Sequence, residues 1–230
     1  KTATAVAGKF QVIRTGSGSI VINTAKDVQL LNQFATIYTA GTQVADPTLG
    51  GTFDTPNTSL SGLMGSLGSV QQLPGYAAQF TMAGGNVSIN AGNDITHLTR
   101  NGSGQLIADS SRQLPNNWLY RRGYVDPLTG QFGAAKAGDI ASTVGVDYSN
   151  FFEGVGALGG GNVTMNAGRD IANVDAVIPT NARMSKGTPN AANLVELGGG
   201  DLRVTTGRNL DAGIYYVERG LGNLNVAGSI

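Results

Sequence analysis

The sequence predicts an all-β protein, a right-handed parallel β-helix (solenoid) with loop excursions. Three observations carry this expectation. One glycine-punctuated segment recurs five times, apolar and polar residues alternate inside each copy, and the composition suits short strands joined by tight turns. Glycine supplies 35 of 230 residues, about 15% and roughly twice the usual share. Charged residues make up only 13%, about half the usual fraction. The apolar fraction of 40% is too high for the polar, highly charged signature of disorder. A chain of 230 residues fits one domain, so residues 1–230 are read as a single β-helix segment.

The copies run "GSIVINTAKDV" from Gly18, "GNVSINAGNDI" from Gly85, "GNVTMNAGRDI" from Gly161, "GDLRVTTGRNL" from Gly200 and a truncated "GNLNVAGSI" from Gly222. Five copies make the glycines the punctuation of a repeat. A phosphate-cradling loop is expected once, between a strand and a helix, and no amphipathic helix follows any copy. In the third copy Gly161 makes a turn. Val163 and Met165 then alternate with Thr164 and Asn166, the period of a half-buried strand. Gly168 turns again, and Ile171 opens the next inward-facing position. The equivalent inward residues are Ile20 and Ile22, Val87 and Ile89, Leu202 and Val204, and Leu224 and Val226, all of the aliphatic kind that strand cores favour.

The last two copies start 22 residues apart, a fitting length for one coil of about three short strands stacked at roughly 4.8 Å. The earlier copies start 67, 76 and 39 residues apart. These longer gaps hold degenerate coils or insertions, which leave a solenoid as surface loops. Three excursions are placed at about Thr42 to Phe80, Asn101 to Phe152 and Val177 to Asn193. Each holds proline and turn residues and is read as loops or short irregular elements.

Fifteen basic and fifteen acidic residues cancel, which argues against the concentrated positive charge that nucleic-acid binding requires. Cysteine is absent, which excludes disulfides and thiolate chemistry. No apolar run approaches the ~18–20 residues of a bilayer span. The opening "KTATAVAGKF" does not read as a signal peptide, and the chain is expected to be part of something larger.

Several longer segments, "GSIVINTAKDVQLLNQFATIYTAG", "GGGNVTMNAGRDI", "FFEGVGALGGGN", "NVDAVIPTNARM" and "VELGGGDLRVTTGRNLDAGIYYVERGLGNLNVAGSI", resemble the filamentous-haemagglutinin-like large exoproteins of Gram-negative bacteria. The resemblance covers most of the chain. It implies a right-handed β-helical filament, two-partner secretion through an outer-membrane transporter, and release or display on the cell surface. It also implies adhesion to a glycan or protein on a host or neighbouring cell. This chain would be an interior or late section, since neither a secretion-signal domain nor a toxin-like segment is evident.

Candidate chemistry is sparse, and no cofactor or metal is expected. Asp27, Asp94, Asp170 and Asn209 share one repeat position and would form a column if the coils stack. Pectin-lyase-like β-helices cut polysaccharides with such residues. The alternative is that each Asp accepts backbone N–H bonds after a glycine turn; the residues just before them are Lys26, Asn93, Arg169 and Arg208, so the charge is partly offset locally. The "GGxGxD" nonapeptide of calcium-binding repeats is absent. His97, the only histidine, has no "GxSxG" elbow to complete a triad and reads as structural. Asn57, Asn86, Asn101 and Asn162 occupy "N-x-S/T" sequons. The densest aromatic-basic cluster is "WLYRRGY", and Trp118, Tyr120, Arg121, Arg122 and Tyr124 are the candidate ligand-binding residues. The competing account has Trp118 and Leu119 anchoring the excursion while the arginines snorkel. The expected function is therefore structural and adhesive, non-enzymatic. The alternatives are a polysaccharide-active β-helix, which acids such as Asp126 or Asp139 beside Asp94 would favour, and a receptor-binding section of a contact-dependent inhibition exoprotein.

Overall fold

A computed structural model describes residues 11–32, 34–43, 58–59, 69–70, 80–110, 118–122, 124–125, 132–133, 143–146, 151, 154–184 and 194–230. Among them there are strands and turns and no helix. Three sheets are built from parallel neighbours. Sheet I holds Val12–Thr15, Thr36–Thr39, Gly154–Ala157, Ala176–Ile178 and Tyr215–Val217. Sheet II holds the repeat strands Ile20–Thr24, Val87–Ala91, Val163–Ala167, Leu202–Thr206 and Gly222–Val226. Sheet III holds Val28–Leu30, Ile95–Arg100, Ile171–Ala172 and Leu210–Asp211. The chain visits sheets I, II and III in constant rotation, and in each sheet successive visits lie side by side.

The alternation read from the repeat is the burial pattern of sheet II. Val163, Met165 and Ala167 are buried while Thr164 and Asn166 face outward. Ile22, Ile89, Met165, Val204 and Leu224 stand in register across five strands. The principal core gathers Ile89, Met165 and Val204 of this row, with Ile22 packed against them, together with Ile95, Ile171 and Leu210 of sheet III and Ile37, Val155 and Ala176 of sheet I; Leu224, on the edge strand, is 42% exposed. Each fully buried aliphatic of this kind contributes about 1.5–3 kcal/mol.

The last copy enters two residues earlier than its glycine match suggests. Leu202 pairs with Gly222 and Val204 with Leu224, so the final step is 20 residues and Gly220 takes the place of Gly200. Gly220 and Gly222 both precede alternating residues, which is why the sequence match slipped. A slip of two keeps every side chain on its face, whereas a slip of one would invert them. The corner leading into sheet II needs glycine for a steric reason. Gly161 has φ +110°, and a Cβ there would lie 2.5 Å from the carbonyl oxygen of Gly85, at the corner that leads into the neighbouring strand.

Sheet I differs from sheet II because its middle strands are buried on both faces: Thr36–Thr39, Gly154–Ala157 and Ala176–Ile178 are buried at every residue. Its outward row, Tyr38, Gly156, Val177 and Tyr216, meets a second apolar cluster that includes Trp118, Leu119, Val146 and Phe151. Gly156 leaves room for this layer: a Cβ would come within 2.8 Å of Leu158 Cδ2 and 3.2 Å of Phe151 Cζ.

The excursions hold paired strands where the sequence predicts loops or short irregular elements. Ala176–Ile178 still belongs to sheet I, and the chain then forms an antiparallel hairpin of Thr180–Met184 with Leu194–Gly198. The second excursion supplies Leu106–Ala108, antiparallel to Leu98–Arg100, and the pair Leu119–Arg122 with Thr143–Val146. Val144 pairs with Ala182, so the second and third excursions share one four-stranded antiparallel sheet. Thr42–Gln43 pairs with Phe80–Met82 across the first excursion, which also holds a short Thr58–Ser59 and Ser69–Val70 ladder.

Candidate functional site

The acidic column forms, and its geometry says what it does. The backbone N–H of Asp94 donates to Asp27 Oδ1 at 3.2 Å, that of Asp170 to Asp94 Oδ1 at 3.0 Å, and that of Asn209 to Asp170 Oδ1 at 3.0 Å. Ser229 N–H closes the series on Asn209 Oδ1 at 3.1 Å. The insertions between copies leave this stacking intact. The arginines act between strands rather than on their sequence neighbours. Arg169 Nε donates to Asp94 Oδ1 at 3.2 Å while its Nη2 reaches Oδ2, and Arg208 grips Asp170 in the same two-pronged way. The N–H of Asn209 holds the Asp170 carboxyl below the usual aspartate range; burial opposes it, and the Arg208 guanidinium adds to the lowering. The Asp94 carboxylate raises the Arg169 guanidinium further above its ordinary value. Carboxylates whose oxygens are occupied in this manner suit cross-strand pinning better than proton transfer.

Parallel ladders repeat the device at other positions. Asn162 N–H donates to Asn86 Oδ1 and Asp201 N–H to Asn162 Oδ1, both at 2.8 Å. The amides of Asn90 and Asn166 donate to Asn23 and Asn90 at 2.8 and 2.7 Å. Ile214 N–H donates to Asp175 Oδ1 at 2.7 Å. Their signal in the sequence was the recurrence of Asn or Asp at one repeat position, visible in "GNV", "GNV" and "GDL". Asn86 and Asn162 thus spend their side-chain oxygens in a ladder. Asn101 Oδ1 instead accepts from Ser103 N–H at 3.1 Å and Gln105 N–H at 2.9 Å in a turn. Asn57 lies outside the described residues.

His97 faces inward beside Ile95 and is 2% exposed. Its Nε2 donates to the Asn32 carbonyl at 2.7 Å, and the Asp109 carboxylate stands 3.8 Å away. This ties the turn after Val28–Leu30 to the sheet. Asp126 and Asp139 lie outside the described residues. Among the described residues no group of three or more His, Asp or Glu is placed to hold a metal ion, and no helix is long and apolar enough to cross a membrane.

Trp118 is 2% exposed and sits edge-on to Phe151 at 5.3 Å and to Tyr216 at 6.4 Å between ring centroids. With Leu119 it fastens the excursion to sheet I, so its faces are taken by packing rather than offered to a ligand. Tyr120, Arg121 and Arg122 continue the same strand, opposite Gly145, Val144 and Thr143. Tyr124 pairs with Gly133 in a separate short ladder. The side chains of these four lie outside the described residues. Tyr38, in the same cluster, has its phenol pushed up by burial, partly offset by Arg14, whose guanidinium lies 5.6 Å from the ring centre.

No protein-family model, no curated protein and no solved structure matches the chain.

Proposed function

We propose that the three sheets are the faces of a right-handed parallel β-helix, and that the chain is a structural and adhesive, non-enzymatic segment of a filamentous-haemagglutinin-like exoprotein displayed outside the cell. The observation that carries this reading is the constant rotation through sheets I, II and III, in register across chain gaps of 67, 76, 39 and 20 residues. Such an array extends by adding coils that each touch only their neighbours, which suits reach. The occupied state of Asp94 and Asp170 supports a non-enzymatic role. The partner is a glycan or protein on a host or neighbouring cell, and export runs through an outer-membrane transporter.

A binding screen of the purified chain against glycans and whole cells tests the reading, with an Arg121→Ala/Arg122→Ala variant alongside. Binding without release of sugar fragments is expected. Hydrolysis or elimination of any polysaccharide by the chain would replace this reading with a polysaccharide-active enzyme.

A further inference from the structure

Two of the three parallel sheets have their outer faces taken up differently. Sheet I is covered by the apolar layer around Trp118 and Phe151. Sheet II is open: its outward residues are half-buried or exposed in every strand. Its five strands run without a register shift, so side chains repeat at strand spacing, ~4.8 Å, along each row. One row places Ser88, Thr164 and Arg203 side by side, and the next places Asn23, Asn90 and Asn166.

From this face we propose that sheet II is a binding surface for a neutral linear polysaccharide. The proposal rests on the attachment role above and moves the contact from the excursions to the sheet. Three physical features select this partner. First, the amides are held in a line by their own bonds, Asn90 to Asn23 and Asn166 to Asn90, and Asn90 also reaches Ser88 Oγ at 3.4 Å. Ordering them costs nothing further on binding. Second, amides and hydroxyls both donate and accept, as sugar hydroxyls do, and equal groups at equal steps let a polymer repeat one weak contact many times. Third, two pairs of charged groups bordering the face, Arg169 with Asp94 and Arg208 with Asp170, are closed on each other, and Lys26 and Asp201 at its corners have opposite sign. An anionic polymer would find Arg203 as the one cation in these two outward rows. A protein partner would lack buried aromatic anchors to pack on, since Val21 is the only apolar residue in either row.

The test is co-sedimentation of the purified chain with cellulose and with chitin, and retention on heparin as the anionic probe. Ser88→Lys/Thr164→Lys places bulky charge on the face and leaves the Asn line in place; Thr164→Lys alone serves if the double variant does not fold, judged by circular dichroism. Binding to cellulose or chitin is expected, falling at least tenfold in the lysine variant and unchanged in Arg121→Ala/Arg122→Ala. No binding to either neutral polymer, equal binding by the lysine variant, or preference for heparin would each overturn the proposal. Binding lost only in Arg121→Ala/Arg122→Ala overturns it while leaving the attachment role standing, with the excursion as the contact.

Discussion

Ile89→Ala measures the inward face directly. Ile89 is 0% exposed and stands between Ile22 and Met165 on the two adjoining strands. Removing its three outer carbons forfeits about 2.4 kcal/mol at about 0.8 kcal/mol each. The neighbouring strands are held at fixed spacing by backbone bonds on both sides, so the space closes only in part, and the residual cavity brings the loss to about 3–4 kcal/mol. Val21→Ala is the matched control. Val21 lies one residue from Ile22 but is 64% exposed, and its truncation is expected to change stability by no more than about 0.5 kcal/mol. Urea unfolding of both variants, followed by far-ultraviolet circular dichroism, gives the two losses at equal slope. Losses within about 1 kcal/mol of each other would show that the inward and outward rows of sheet II are wrongly assigned.

Trp118 is the only tryptophan in the chain and is buried, so native fluorescence should be blue-shifted and resist acrylamide; red-shifted, easily quenched emission would place it at the surface. Gly161→Ala should cost at least about 2 kcal/mol, because it combines a backbone conformation closed to side chains with a collision against Gly85; a smaller loss in urea unfolding would contradict that close approach. Asp170→Asn keeps an acceptor for the Asn209 N–H and loses the Arg208 pair. Because the folded Asp170 pKa is lowered, its contribution is full above the unfolded value of about 3.9 and fades as pH falls through the folded one. The stability gap between wild type and Asp170→Asn should therefore shrink on acidification below about pH 4; a gap that widens would reverse the sign.

Sheet II was legible because each strand has one wet face, and alternation such as Val163-Thr164-Met165-Asn166 records it. Sheet I left no such trace. Thr36–Thr39 and Ala176–Ile178 are buried on both sides, so their sequences show no period, and Val177 reads as the start of an excursion. The partner that buries their outer face comes from residues far along the chain, Trp118 and Phe151, and nothing local announces it. The Trp118 cluster was visible as composition, but whether its ring faced solvent or packing depended on Gly156 making space across the chain. The Asp column was legible as a position; the diagonal pairing of Arg169 with Asp94 and of Arg208 with Asp170 required knowing which strands adjoin.

The spacing of the repeat strands has a consequence for how such a chain changes over time. Neighbouring strands of sheet II are separated by as few as 20 and as many as 76 residues of sequence, yet take equivalent places in space. Closing the longer span costs only about 1.2 kcal/mol more than closing the shorter, since each doubling of a loop adds about 0.6 kcal/mol. That is about the net worth of one backbone hydrogen bond, and the Asn and Asp ladders add one such bond at every step. The corners between sheets can thus accept new sequence of almost any length at nearly constant thermodynamic expense, and foreign segments spliced there should leave the stacked strands folded.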